Sequence, residues 1–417
     1  MPQTQTTRTV ARRIRELTLV EHELAVPLDH DAGGGEELTV FARELVGDAP
    51  GSDSFPFLVY FQGGPGHEAG RVHSAPGKGS WLHRALREYR VLLLDQRGTG
   101  RSTPVGRLEG RSPAEQAAYL THFRADSIVR DAELVRQALG VERWSVLGQS
   151  FGGFCVLAYL SAFPGSLREA FVTGGLPPIG RPTDDVYERT YRHVLDRSRR
   201  YYERYPDDRD RVLAIHDRIA NGGIVLPTGE ELTSRRFRQL GMMLGASDGA
   251  ERLHSIVELD VDSPAFAHDV MAHDAFSRNP LYAIVHESCY ADGCVTAWSA
   301  ERTLPAELGA PELFTGEHVY PWMFEDYAAL RPLREAAELL AEHPWPRLYD
   351  AGRLEANEVP VAAAVYANDM YVDRDLSEET AGRVGNLRRW LTDEYEHDGL
   401  RADGTRILDR LIVLVRG

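Results

Sequence analysis

A chain of 417 residues with 43% hydrophobic content can bury a full core, as one large α/β domain carrying an insertion or as two smaller domains. Its formal charge of −16 argues against nucleic acid and anionic membrane as partners, because phosphate contacts need a basic surface. No stretch approaches the roughly 18–20 uninterrupted apolar residues of a membrane span, and the three cysteines, Cys155, Cys289 and Cys294, cannot form a disulfide framework or a complete structural zinc site.

Residues 1–15 carry Arg8, Arg12, Arg13 and Arg15, but Glu21 and Glu23 then interrupt the apolar run that a signal peptide needs, so cytoplasmic residence is the expectation. Residues 56–62 (PFLVYFQ) and 89–94 (YRVLLL) stop at Gly63 and Asp95 and read as buried parallel strands. Between them, residues 81–88 set Leu82, Ala85 and Leu86 on one helical face, and residues 113–139 read as one long amphipathic helix. A strand at 144–147, a turn at GQSFGG, a helix over 154–163 and a strand at 170–173 continue the rhythm. Such alternation predicts a mostly parallel sheet with helices on both faces.

From 181 to 343 the pattern changes to polar and aromatic helical stretches without a buried-strand signature. It resumes with a strand at 359–366, a helix over 378–388, a strand at 390–391 and a final helix within 405–415. The expected organisation is one α/β catalytic domain, residues 1–180 and 344–417, interrupted by a helical cap over 181–343.

Gly148-Gln149-Ser150-Phe151-Gly152 fits G-x-S-x-G directly after an apolar strand and before an apolar helix, the context of the nucleophile elbow of the α/β-hydrolase fold. The glycines are needed because the turn is too tight for side chains beside the serine, and Gly153 is expected to pack the helix closely on a strand. A serine hydroxyl needs a histidine base, and the base needs a carboxylate to fix its tautomer. In this fold the chain order is serine, acid, histidine. Asp369, just beyond the strand at 359–366 and followed by an apolar anchor at Val372, is the chosen acid, with Asp373 as its near competitor. His397 is the one histidine of 15 downstream of Asp369. For the oxyanion, Phe151 offers the N–H after the nucleophile, and the loop Gly63-Gly64-Pro65-Gly66 offers a second donor at Gly64.

FQGGPG, then DQRGTGRS from Asp95, then GQSFGG together resemble the proline iminopeptidases of the α/β-hydrolase class. The similarity covers about residues 56–180 and 359–400, and the length resembles the longer bacterial members. The resemblance implies an aminopeptidase that takes peptides with a free N-terminal proline and forms an acyl-enzyme on Ser150, with His397 as base and then acid and Asp369 as its orienter. It implies no metal or organic cofactor. It also implies cap carboxylates for the substrate amine and aromatic rings around the pyrrolidine. Glu287, grouped with Tyr290 and Trp298, is the leading candidate, ahead of Glu317, grouped with Tyr320 and Trp322. Asp95, Arg97 and Ser102 carry the resemblance but are expected to shape a loop through local hydrogen bonds.

The main rival is another serine hydrolase on the same scaffold, an esterase, lactonase or amidase, because fold and triad do not set the leaving group. A silent binding module is disfavoured by the three ordered triad residues, and serine in place of aspartate at the elbow excludes an epoxide or haloalkane hydrolase. A homo-oligomer is compatible with all of these readings.

Overall fold

The computed structural model describes residues 7–417; the first six residues of the segment weighed above as a leader lie outside the described residues. Nine strands, β1 (Thr7–Ile14), β2 (Leu17–Pro27), β3 (Glu37–Gly47), β4 (Phe57–Phe61), β5 (Arg90–Asp95), β6 (Trp144–Gln149), β7 (Leu167–Thr173), β8 (Val361–Tyr366) and β9 (Leu387–Thr392), form one sheet. Their order is 1-2-3-5-4-6-7-8-9. The first three pair antiparallel up to β5, and every pair from β5 to β9 is parallel.

The inner parallel strands read as continuous apolar runs because both of their faces are buried. Val59, Phe61, Leu92, Leu94 and Val146 pack against the helices Ala125–Ala138 and Phe151–Ala162. Their neighbours Leu58, Tyr60, Val91, Leu93 and Leu147 pack on the other face with Ile407, Leu408, Leu411 and Ile412 of the C-terminal helix Gly404–Arg416.

Strand order reverses at β4, which has β5 on one side and β6 on the other. In an open α/β sheet such a switch point opens a crevice at the carboxyl ends of the strands. Here it lies between the loop after β4 and Ser150 at the end of β6.

Three features differ from the sequence expectations. The antiparallel strands β1–β3 were not expected, because β2 carries Glu21, His22 and Glu23 within its apolar positions; buried His22 is satisfied by Glu44 of β3 at 2.9 Å. The helix expected over 113–139 is two helices, Pro113–Leu120 and Ala125–Ala138, separated by a 3-10 turn and an extended Arg124. Neither proline nor glycine marks this break. Arg124 is buried, and its guanidinium donates to the carbonyl oxygens of Ser288, Ala291 and Pro346, so distant backbone sets its conformation. Finally, Asp373 accepts from the Leu376 N–H and caps a helix that starts at Arg374, and Val384 turns extended so that this helix ends at Arg383 rather than near 388. Residues 387–392 are thereby left to the edge strand β9, whose exposed Arg388 and Arg389 hide its strand character.

Between β7 and β8 the chain forms helices and 3-10 turns but no strand, beginning with the 22-residue helix Thr183–Arg204. Tyr187, Tyr191, Val194, Tyr282 and Phe314 of this insertion join the same buried cluster as one face of the sheet. Among the described residues, no helix is long and apolar enough to cross a membrane.

Candidate active site

Ser150 links β6 to the helix Phe151–Ala162 with φ 56° and ψ −127°. A side-chain-bearing residue in such a region costs about 1–3 kcal/mol and persists only where its surroundings enforce it. Here the Ser150 N–H donates to the Thr173 carbonyl at 3.0 Å, and the Ser150 carbonyl accepts from Gly153 at 2.7 Å. Packing forbids side chains beside the elbow. A Cβ on Gly152 would fall 1.9 Å from the Phe61 carbonyl oxygen, and one on Gly153 would fall 2.2 Å from that of Gly175.

Phe151 is the first residue of its helix, so its N–H has no partner four residues back and points toward the helix N-terminus, where negative charge is favoured. The loop after β4 closes on the same point. A Cβ on Gly63 would lie 3.0 Å from the Ser150 Cβ, and Gly64 follows at φ 135°, a conformation that side chains disfavour. The Gly63 backbone and the start of the Phe151 helix are thus packed around Ser150, with Gly64, the expected second oxyanion donor, next in the same loop.

Asp369 lies three residues beyond β8 and His397 five beyond β9. The structure brings them together, with His397 Nδ1 2.7 Å from Asp369 Oδ2. The other carboxylate oxygen accepts from the N–H groups of Tyr371 and Val372 at 2.9 and 3.0 Å, so the Asp369 side chain is fixed by its own turn. Asp373 is engaged elsewhere, as helix cap and as partner of His193 at 2.9 Å and Arg189 at 3.4 Å.

Burial disfavours the His397 cation, but the charge and hydrogen bond of Asp369, with Glu317 and Asp398 at longer range, outweigh it and raise the imidazole above its ordinary 6.5. A general base must be neutral to work. The acid limb of kcat/KM is therefore expected to turn above pH 6.5, and activity to be lost as pH falls through that value. A pH–rate profile with its inflection at or below 6.5 would contradict the paired environment of His397.

The carboxylates of the insertion separate clearly. Glu287 is buried and accepts from the Ala300 N–H at 2.8 Å; burial pushes its pKa up to about 7 against the backbone donors of Ala300 and Ser299. Glu317 is partly accessible, with 16% of its side chain exposed. It accepts from the Tyr282 hydroxyl and lies 3.6 Å from His286 Nε2. Burial opposes its charge, but His286, the Tyr282 hydroxyl and the more distant His397 hold it below the usual carboxylate value. The Glu317 charge also acts on His67, in the loop after β4. Glu317, which sequence grouping ranks behind Glu287, is thus paired with Tyr282, whose ring in turn meets His67 of the loop after β4.

The Tyr290 ring packs 5.3 Å from Phe154, on the helix that begins at the nucleophile, and 6.0 Å from His286. Trp298 is not brought to it. Its indole N–H donates to Glu338 at 3.0 Å near the surface and its ring meets Phe324 at 5.8 Å. Tyr320 and Trp322 stack on each other at 5.6 Å, with the Arg235 guanidinium 4.8 Å from the Trp322 ring.

Sequence reasoning did not single out His67, Tyr282 or Tyr371. The Tyr371 ring lies edge-on to His397 with centroids 4.7 Å apart, and the His67 ring meets Tyr282 at 4.8 Å. Nearness to motifs could have flagged His67, directly after GGPG, and Tyr371, two residues after Asp369. Tyr282 carries no local signal.

The DQRGTGRS residues serve the scaffold. Arg97 is fully buried and its Nε donates to Asp131 at 2.7 Å, while its terminal nitrogens reach the carbonyls of Pro27, Leu28 and His122 at 2.8–3.0 Å. Ser102 donates to the Asp95 carbonyl, and the Asp95 carboxylate accepts from the Arg101 N–H at 2.9 Å.

A family described as alpha/beta hydrolase fold matches residues 56–269. The proline iminopeptidase of Aeromonas sobria is 48% identical over 410 residues, covering 95% of this chain and 96% of that protein. Proline iminopeptidase aneH of Aspergillus aculeatus is 35% identical, covering 94% and 93%. A crystal structure of proline iminopeptidase from Mycobacterium smegmatis overlaps with TM-score 0.45 at 16% identity, covering 94% of this chain and 96% of that one.

Proposed function

The chain belongs to the proline iminopeptidase family of α/β-hydrolase-fold enzymes, and we propose that it releases N-terminal proline from peptides through an ester formed on Ser150. The observation that carries the mechanism is the 2.7 Å contact of His397 with Asp369, set beyond the adjacent strands β8 and β9 of the sheet whose strand β6 leads into the Ser150 elbow. The inserted helices of residues 181–343 act as a cap over this site. Three unpaired cysteines fit a reducing compartment, so we place the activity in the cytoplasm.

In this mechanism His397 Nε2 takes the proton of the Ser150 hydroxyl as Oγ attacks the prolyl carbonyl carbon. The N–H groups of Phe151 and Gly64 receive the oxyanion of the tetrahedral intermediate. Collapse breaks the C–N bond, and the imidazolium returns the proton to the leaving amine. Water, deprotonated by His397, then attacks the prolyl ester, and the second collapse frees proline and restores the Ser150 hydroxyl.

The substrate's ring nitrogen is cationic, and a partly desolvated ammonium needs a carboxylate beside it. Glu317 supports this role best, because it stays ionised and partly accessible between Tyr282 and His286, whereas the Glu287 carboxylate already serves the Ala300 N–H. Tyr290 then contributes to the aromatic wall near the nucleophile helix. Prolyl arylamide, its N-blocked form and a short acyl ester distinguish a peptidase from an esterase, since only the peptidase needs the free amine. Glu317→Gln is expected to lower kcat/KM for the arylamide by about 10- to 100-fold, roughly 1.4–2.7 kcal/mol, and to spare the ester. A larger selective loss from Glu287→Gln would exchange the two roles.

A further inference from the structure

The residues that flank the base and acid are held by the cap. Arg197, on the helix Thr183–Arg204, donates through Nη1 to Glu396 Oε1 at 2.9 Å and through Nη2 to the Asn368 carbonyl oxygen at 2.6 Å. Nη2 also meets the second Glu396 oxygen. Glu396 immediately precedes His397, and Asn368 immediately precedes Asp369. One guanidinium therefore ties together the loops after β8 and β9.

The other side of His397 is bound as well. Asp398 accepts from the Ser247 N–H at 3.0 Å and from its hydroxyl at 2.6 Å, and Ser247 lies just past the cap's 3-10 turn Gln239–Gly245. Tyr371, which packs edge-on to His397, donates to the Met242 carbonyl of that same turn. His397 lies between β9 and the short helix Gly399–Ala402, outside regular structure. Its position thus draws on contacts that the sheet does not supply.

We propose that Arg197 is a positioning residue, through which the cap sets the geometry of the His397–Asp369 pair as well as enclosing substrate. The proposal rests on the reading of Ser150, Asp369 and His397 as the triad. The side chains of Arg197 and Glu396 are only 13% and 26% exposed, so their bidentate pairing is more rigid than a freely solvated pair. Catalytic groups displaced by about 1 Å can lose about 100-fold in rate even when the cause lies away from the chemistry.

The test uses the full-length enzyme with two probes: a prolyl arylamide, which needs the cap for binding, and a simple alkyl fluorophosphonate. The second labels Ser150 through its activation by His397 and carries no amine for the cap to hold. Arg197→Ala is expected to lower kcat for the arylamide by about 10- to 100-fold with KM within about three-fold. Fluorophosphonate labelling is expected to slow by the same factor. Arg197→Lys, which retains a donor and the charge, should recover part of both losses.

A loss confined to KM with labelling at the wild-type rate overturns the proposal, as do wild-type values with both probes. If Arg197→Ala does not fold, as judged by circular dichroism, Glu396→Gln removes the charge pairing with little change of shape and should give a smaller loss in both assays. Wild-type labelling by that variant would also overturn the proposal. His397→Ala separates the two readings: normal labelling there defeats the triad itself. Lost labelling there, alongside normal labelling in Arg197→Ala, defeats only the role of Arg197.

Discussion

Ser150→Ala is expected to retain the fold and to lower kcat for a prolyl arylamide by about five to six orders of magnitude. Triad members act as a unit, and the residual rate comes from binding and from the oxyanion donors. Structure should survive because the serine side chain makes no capping hydrogen bond to its helix. The contacts that enforce the elbow are instead backbone ones, from Ser150 N–H to Thr173 and from Gly153 N–H to the Ser150 carbonyl. Alanine at φ 56° carries the same backbone strain as serine, so the substitution removes the nucleophile without relaxing the turn. Steady-state turnover, fluorophosphonate labelling and a thermal melt on one preparation provide the check. Near wild-type turnover in the folded variant would remove Ser150 from the mechanism.

The elbow was legible in the sequence because its causes are local and steric. Residues 148–153 must pass between β4, β7 and the start of a helix, and the glycines record where no side chain fits. His397 was singled out by elimination, from chain order and from its being the one histidine downstream of Asp369. Separating Asp369 from Asp373 by spacing needs the strand end to within a few residues, whereas their partners differ plainly: one carboxylate meets His397 and the other caps a helix.

The insertion was far less legible because its side chains take their roles from remote partners. Trp298 lies eight residues from Tyr290 in sequence, yet it turns outward to Glu338. Glu317 gains its surroundings from Tyr282, 35 residues away, and Arg197 from Glu396, 199 residues away. Composition around such residues records that they are polar or aromatic. It does not record which carboxylate is spent on a backbone N–H and which meets a tyrosine hydroxyl and a histidine. The buried Arg124 makes the same point for secondary structure, since carbonyls more than 160 residues away break a pattern that reads locally as one helix.

Asp369→Asn is expected to reduce kcat by about three to four orders of magnitude, whereas Asp373→Asn should leave it within a few-fold. The asparagine can still accept from the Tyr371 and Val372 N–H groups through its carbonyl oxygen, so the turn beyond β8 should stay in place. Its amide nitrogen then faces His397 Nδ1 as a donor where the carboxylate oxygen was an acceptor. Nδ1 must become the unprotonated nitrogen, the ring proton moves to Nε2, and the base can no longer accept from Ser150. The imidazolium formed during attack also loses the neighbouring negative charge that raises the His397 pKa. At position 373, asparagine remains a good helix cap, and the lost charge affects the pairs with His193 and Arg189 rather than His397. Parallel kcat measurements on both variants, with circular dichroism to show that each is folded, test the ranking; the reverse order would transfer the acid to Asp373.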